Sequence, residues 1–191
     1  MAESENKQTL TGLAARLGRL PAEKRRAALE VSAALAGVSL RVSRDFVEAV
    51  PKAAKILSAD DLRAWGELGR RVAMGSAESG SKYFASGIKS LEKVPAAARE
   101  YLFKICMRQL VLSSSVALET LHSAPRLSEE IGDDELFTKV VELGVEIANR
   151  SAKHSSEFLQ KTPPVARSFA VFGKEKQRTA ETFLTLASHF A

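Results

Sequence analysis

Glu67-Leu68-Gly69-Arg70-Arg71-Val72-Ala73-Met74-Gly75-Ser76-Ala77 returns 75 residues later as Glu142-Leu143-Gly144-Val145-Glu146-Ile147-Ala148-Asn149-Arg150-Ser151-Ala152. Lys82-Tyr83-Phe84 then lies over Glu157-Phe158-Leu159 at the same offset. The offset is one period of 37 plus one of 38. Leu20, Leu57, Val94 and Ile131 stand 37 apart, and Phe169 follows 38 later. Pro51, Pro125 and Pro163 form a second column, with spacings of 74 and 38 and Ile88 in the slot between the first two. Pro21 and Pro95, again 74 apart, form a third. The other units fit more loosely: Leu35-Ala36 lies over Val72-Ala73, Val47 lies over Phe84, and Leu110-Val111 takes the same Val-Ala slot. A period of this length is one supersecondary unit that cannot bury its apolar face alone and does so by stacking on its neighbours.

The units read as helical. Leu62, Trp65, Leu68 and Val72 recur at helical spacing, as do Leu136, Val140, Leu143 and Ile147. Pro21 and Pro95 suit a first helical turn. Asp60-Asp61 and Asp133-Asp134 put negative charge where a helix dipole favours it. Gly69 and Gly144 share a mid-helix column, where glycine costs about 1 kcal/mol relative to alanine. The same cost taken twice points to close helix approach. Each unit reads as a long helix, a turn, a shorter helix and a Pro-marked link.

The expected fold is therefore all-α, with tandem repeats of 37 to 38 residues stacked as an α-solenoid of the HEAT or TPR kind. Residues 1–19 read as an N-terminal capping helix carrying Leu10, Leu13 and Leu17. The repeat domain spans 20–191, in units of about 20–56, 57–93, 94–130 and 131–168, with a partial unit at 169–191. Phe183, Leu184, Leu186 and Phe190 begin that partial unit, and no polar cap follows before Ala191. Stacked repeats need polar-faced ends, so the expectation is a longer protein or a partner packed at this end.

Composition excludes several classes. The chain of 191 residues is 45% hydrophobic and 27% charged, as in globular proteins. Met1 opens a polar, acidic segment unlike a signal peptide. No stretch reaches the roughly 18 apolar residues of a membrane span. Cytoplasm is the expected compartment. Cys106 stands alone among Phe103, Ile105 and Leu110, so it forms no intramolecular disulfide and reads as a buried core thiol.

No constellation for catalysis, cofactor or metal emerges. His122, His154 and His189 are 32 and 35 apart, with none of the short spacings of a metal site. Ser113-Ser114-Ser115, Ser151 and Ser155-Ser156 sit in no nucleophile elbow. With Ser76, Ser79, Gly80 and Ser81 they read as small residues that let helices approach. Glu129-Glu130 and Asp133-Asp134-Glu135 read as helix-start chemistry at a repeat junction. No Gly-rich phosphate loop is present.

The net charge of +5 is concentrated at the N-terminal end, where residues 1–57 hold ten Lys/Arg against six Asp/Glu. Lys24, Arg25, Arg26, Arg41 and Arg44, with Arg70 and Arg71 in the next unit, form a candidate partner-binding basic patch. A solvated helix face is the plainer reading of the same charges. Nucleic acid is the disfavoured alternative. A basic concave face needs one repeating Lys/Arg column, yet Arg70-Arg71 aligns with Ala33-Ala34, Arg108-Gln109 and Val145-Glu146, which is not consistently basic.

The pattern Leu-x-x-Trp-x-Glu-Leu-Gly-x-x-Val-Ala-x-x-Ser followed by Tyr-Phe, carried by Leu62 to Phe84, recurs loosely from Ser151 to Pro163 and from Ala124 to Leu127. It resembles the helical repeat region found N-terminal to the von Willebrand factor A-type domain in large bacterial proteins. Those include the nitric oxide reductase activation type, paired with MoxR-type AAA ATPases. The resemblance runs from about residue 20 onward. It implies a non-enzymatic interaction scaffold or assembly module, with a protein partner such as an AAA ATPase or a metalloenzyme being assembled. The chain has no Asp-x-Ser-x-Ser motif, so that family's metal-binding residues have no counterpart here. The alternative function is a nucleic-acid-binding solenoid using the basic N-terminal units.

Overall fold

The computed structural model describes residues 15–170. Every regular element among them is a helix, so the chain is all-α. It divides into two compact units, Met1–Ile88 and Lys89–Ala191. The helices are α1 (Ala22–Ala36), α2 (Leu40–Ile56), α3 (Ala59–Gly75), α4 (Ala77–Glu92), α5 (Ala96–Gln109), α6 (Ser114–Ile131), α7 (Asp134–Arg150) and α8 (Ala152–Ala170). Each sequence repeat holds two consecutive helices: α1 and α2, α3 and α4, α5 and α6, α7 and α8. The 75-residue offset carries the bounds of α3 onto those of α7.

Capping explains where these helices begin. Ser58 caps α3, accepting from the Asp61 N–H while Asp61 returns a bond to the Ser58 N–H, which makes a capping box. Asp133 does the same work for α7, accepting from the Leu136 N–H at 2.8 Å. Ser39 and Ser113 cap α2 and α6. Ser76 and Ser151 are single extended residues, φ −161° and −154°, that end α3 and α7. Their hydroxyls accept from the Ser79 and His154 N–H groups and open the next helix. Serines expected only to let helices approach are thus, in several cases, caps. Ser155 in α8 is buried, and its hydroxyl accepts from Gln109 Nε2 of α5 at 3.2 Å.

Other expectations need correction. The two helices of a pair are of similar length rather than long and short. Pro51 and Pro125 lie inside α2 and α6, and Pro163 inside α8, so the second helix runs through what read as a link. Proline in a helix interior costs about 3 kcal/mol. Buried Val50, Ala53 and Ala54 around Pro51, and Ala124 and Leu127 around Pro125, anchor the turns on both sides and offset that cost. The column Leu57, Val94 and Ile131 is buried where one pair ends and the next begins. Glu129-Glu130 ends α6 instead of starting a helix, with Glu129 accepting from Lys93 and Glu130 from Arg126. Pro21 and Pro95 stand one residue ahead of α1 and α5, as N-caps.

In the first unit α1 packs on both α2 and α3, and α2 on α3. Its core is an aromatic cluster of Phe46, Trp65, Tyr83 and Phe84, with ring centroids 4.9–6.0 Å apart. The Tyr83 hydroxyl donates to the Trp65 carbonyl at 3.0 Å. The stripe Leu62, Trp65, Leu68, Val72 is fully buried. In the second unit α5 packs on α6, α7 and α8, and α8 on α6 and α7. There the stripe starts at buried Phe137, since Leu136 is half-exposed. The glycine column does mark close approach. A Cβ at Gly69 would collide with the Phe84 ring, and one at Gly144 would stand 2.8 Å from Ile105 Cδ1. Leu17 is buried and residues 15–18 are helical. The remainder of the expected capping helix, and the partial unit beyond residue 170 with His189, lie outside the described residues.

Candidate functional site

The seven basic residues expected to form a partner-binding patch all fall in the first unit, and the structure spends most of their charge internally. Lys24 reaches from α1 to the end of α2, where its Nζ donates to the Ala54 carbonyl at 2.7 Å. It satisfies an orphan acceptor of the last helical turn. Arg25 donates to the Gly18 carbonyl. Arg26 pairs with Glu30 at 2.8 Å, one turn on. Glu30 also holds Arg63 of α3 at 3.0 Å, and Arg63 in turn holds Asp60. This chain ties α1 to α3, and the Glu30 carboxyl is held below the ordinary carboxylate range by Arg63 first and Arg26 second. Arg44 pairs with Glu48 at 3.7 Å. Arg70 and Arg71 both bond Glu67, at 2.7 and 3.0 Å. Hydrogen bonds from Arg70, and then Arg71, hold that carboxyl low against the opposing effect of partial burial. Whatever stability this depressed value contributes is present above the ordinary carboxylate range. It is lost as pH falls through the lowered value.

Arg41 differs from the other six. It is exposed in the first turn of α2, carries no ion pair among the described residues, and exerts a weaker pull on Glu78, whose carboxyl Lys82 already holds low. The sequence patch is thus not one cluster of unspent cations. The i,i+3 and i,i+4 spacings of Arg26 with Glu30, Arg44 with Glu48 and Glu67 with Arg70 and Arg71 are the signal in the sequence that foretold the pairing.

A feature missed by sequence reasoning is apolar. Leu40 is 78% exposed, Met74 64% and Val111 80%, with Leu112 also exposed. Each flanks the tight turn within a helix pair: Leu40 between α1 and α2, Met74 between α3 and α4, Val111-Leu112 between α5 and α6. The opposite ends of the pairs are closed by buried Leu57, Val94 and Ile131. Leu29, in the middle of α1, is exposed as well, so the turns hold most but not all of the large apolar side chains left in water. Such groups, placed together, mark interaction surfaces more often than scattered single residues do.

The chemistry-bearing side chains are placed otherwise. Among the described residues no group of three or more His, Cys, Asp or Glu side chains could hold a metal ion. His122 is exposed, with its Nδ1 3.1 Å from Ser90 Oγ, and His154 is exposed on α8. Cys106 is fully buried, donates weakly to the Ala117 carbonyl, and is pushed up to about 12 by burial. A thiol so placed supplies almost no thiolate near neutrality. A thiol reagent such as 5,5′-dithiobis(2-nitrobenzoate) at pH 8 is expected to leave Cys106 unmodified in the folded chain. It should titrate one thiol in denaturant; rapid native labelling would show the placement wrong. No described helix is long and apolar enough to cross a membrane. The chain matches no protein-family model, no curated protein and no solved structure.

Proposed function

We propose that this chain is a non-enzymatic protein-interaction scaffold whose helix pairs stack as an α-solenoid. The observation that carries the reading is the contrast between the two ends of the pairs. One end is sealed by buried Leu57, Val94 and Ile131, while the turn end presents Leu40, Met74 and Val111 to water. The packing within each unit supports stacking: α1 meets α3, α5 meets α7, and α6 meets α8, so equivalent helices of successive pairs lie side by side. The resemblance to the helical region beside von Willebrand A-type domains extends the proposal to an accessory or assembly role beside an AAA ATPase. Internal pairing of Arg26, Arg44, Arg70 and Arg71 supports a protein partner over nucleic acid, because ion-paired guanidinium groups release fewer counterions to phosphate.

The test is affinity purification of the tagged chain from its native host, cross-linked and uncross-linked, at low and high salt. A protein retained reproducibly at both salt concentrations is expected. Recovery of nucleic acid alone, lost steeply with salt, would replace this reading with the nucleic-acid one. Nothing reproducible would remove the scaffold proposal.

A further inference from the structure

We infer that the sealed end of the first helix pair, where α1 begins and α2 ends, binds a short acidic segment of a partner protein; this rests on the scaffold reading above and names the partner's chemistry. Two hydrogen bonds assemble the surface. Lys24 Nζ donates to the Ala54 carbonyl at 2.7 Å, which sets the start of α1 beside the last turn of α2. Arg25 Nη1 donates to the Gly18 carbonyl at 3.3 Å and holds the preceding segment against the same end. Lys52 and Lys55 are exposed in the closing turns of α2, and Arg16 and Arg19 are exposed on either side of Gly18. None of these cations forms an ion pair among the described residues. A neutral backbone carbonyl orients Lys24 and Arg25 without cancelling their charge. Glu23, exposed in the first turn of α1, is the carboxylate beside them.

Lys24 and Arg25 stand near the start of α1, where the helix dipole disfavours cations, so the cluster does not serve that helix. The positive surface is also short. In the next pair Arg63, Arg70, Arg71 and Lys82 are each tied to Asp or Glu side chains. Arg44, farther from this end of α2, is tied to Glu48. A compact cluster of unpaired cations fits a short run of Asp and Glu, whose carboxylates take charge-assisted hydrogen bonds from Lys and Arg. Leu29, one turn after Arg25 and 53% exposed, adds an apolar contact that one side chain of such a segment can meet. Duplex nucleic acid fits worse, because its phosphates continue along the helix while the free cations stop with the first pair. A single strand would need exposed rings to stack on, and Phe46, Trp65, Tyr83 and Phe84 are all buried. A membrane surface would need a longer apolar stripe than Leu29 gives.

The test titrates the full chain into a fluorescently labelled synthetic peptide of Glu and Asp around one Leu, reading anisotropy at physiological ionic strength. The expected result is saturable binding weakened about tenfold or more by Arg19→Gln/Lys52→Gln/Lys55→Gln. The triple substitution Arg44→Gln/Arg71→Gln/Lys82→Gln removes ion-paired cations and lowers the net charge equally. It should weaken binding less than about threefold. All the substituted positions are exposed, so circular dichroism should show both variants as helical as the parent. No saturable binding, or equal effects of the two variants, would overturn the inference. So would binding of a labelled oligothymidylate or of phosphatidylserine vesicles as tight as that of the peptide, or self-association that depends on Arg19, Lys52 and Lys55. If the first variant still retains the host proteins that the parent retains, the scaffold reading survives and only this surface falls.

Discussion

Gly69→Ala should destabilise the first unit by about 2 kcal/mol, although alanine is intrinsically the better helix former by about 1 kcal/mol. The methyl would enter the space of the Phe84 ring. A ring at the free end of a loose side chain would swing away at little cost, but Phe84 is fully buried and meets Phe46, Trp65 and Tyr83 on its other faces. It has nowhere to go without shifting the whole cluster. Two comparisons separate crowding from propensity. Gly37, at the end of α1, is helical at φ −66°, and a Cβ there would meet only a backbone oxygen at 3.5 Å. Gly37→Ala should therefore be neutral or stabilise by about 0.5 kcal/mol. The position 75 residues after Phe84 is Leu159, and a Cβ at Gly144 would lie an ordinary 3.6 Å from Leu159 Cδ2. Phe84→Leu should therefore relieve the clash, and Gly69→Ala should cost markedly less in that background than alone. Urea unfolding followed by circular dichroism measures all four variants. An additive cycle would mean that Phe84 is not what the methyl meets.

That cycle also marks how far the sequence could be read. The repeat of Glu67–Ala77 at Glu142–Ala152 pointed to two helices per unit, but not to their lengths, because period, helix-start residues and glycine column are written in local residue types. Ser58 and Asp133 cap α3 and α7 where a polar residue precedes an apolar run. The prolines misled because local chemistry argues for a break, and only tertiary burial of Ala53, Ala54 and Leu127 keeps α2 and α6 continuous past Pro51 and Pro125. The basic residues were legible as charges, and their partners one turn away on the same helix could be read from spacing, but those on another helix could not. Arg63 meets Glu30 across 33 residues, a contact no spacing rule predicts. Leu40 and Met74 were hidden for the opposite reason. An apolar residue in an amphipathic pattern reads as core, and only the geometry of the turn puts these two in water.

Trp65→Ala should cost about 3–5 kcal/mol, the largest loss expected from any single substitution in the first unit. Trp65 is the largest fully buried side chain, and it touches the rings of Phe46, Tyr83 and Phe84 at 5.5, 6.0 and 4.9 Å between centroids. Its indole Nε1–H is buried without a hydrogen-bond acceptor among the described residues. The loss is thus one of packing and ring contact, with no bonded partner orphaned, because Tyr83 uses the Trp65 backbone carbonyl. Trp65→Phe separates the terms. It keeps an aromatic ring at the centre of the cluster and removes a donor whose burial is itself unfavourable. The cost of the smaller ring should then be about 1 to 2 kcal/mol. Circular dichroism during urea unfolding reads both variants, since each removes the chain's only tryptophan. A Trp65→Phe variant as damaged as Trp65→Ala would show that the indole is held by a polar contact, and that its N–H, not its bulk, anchors α3 in the core.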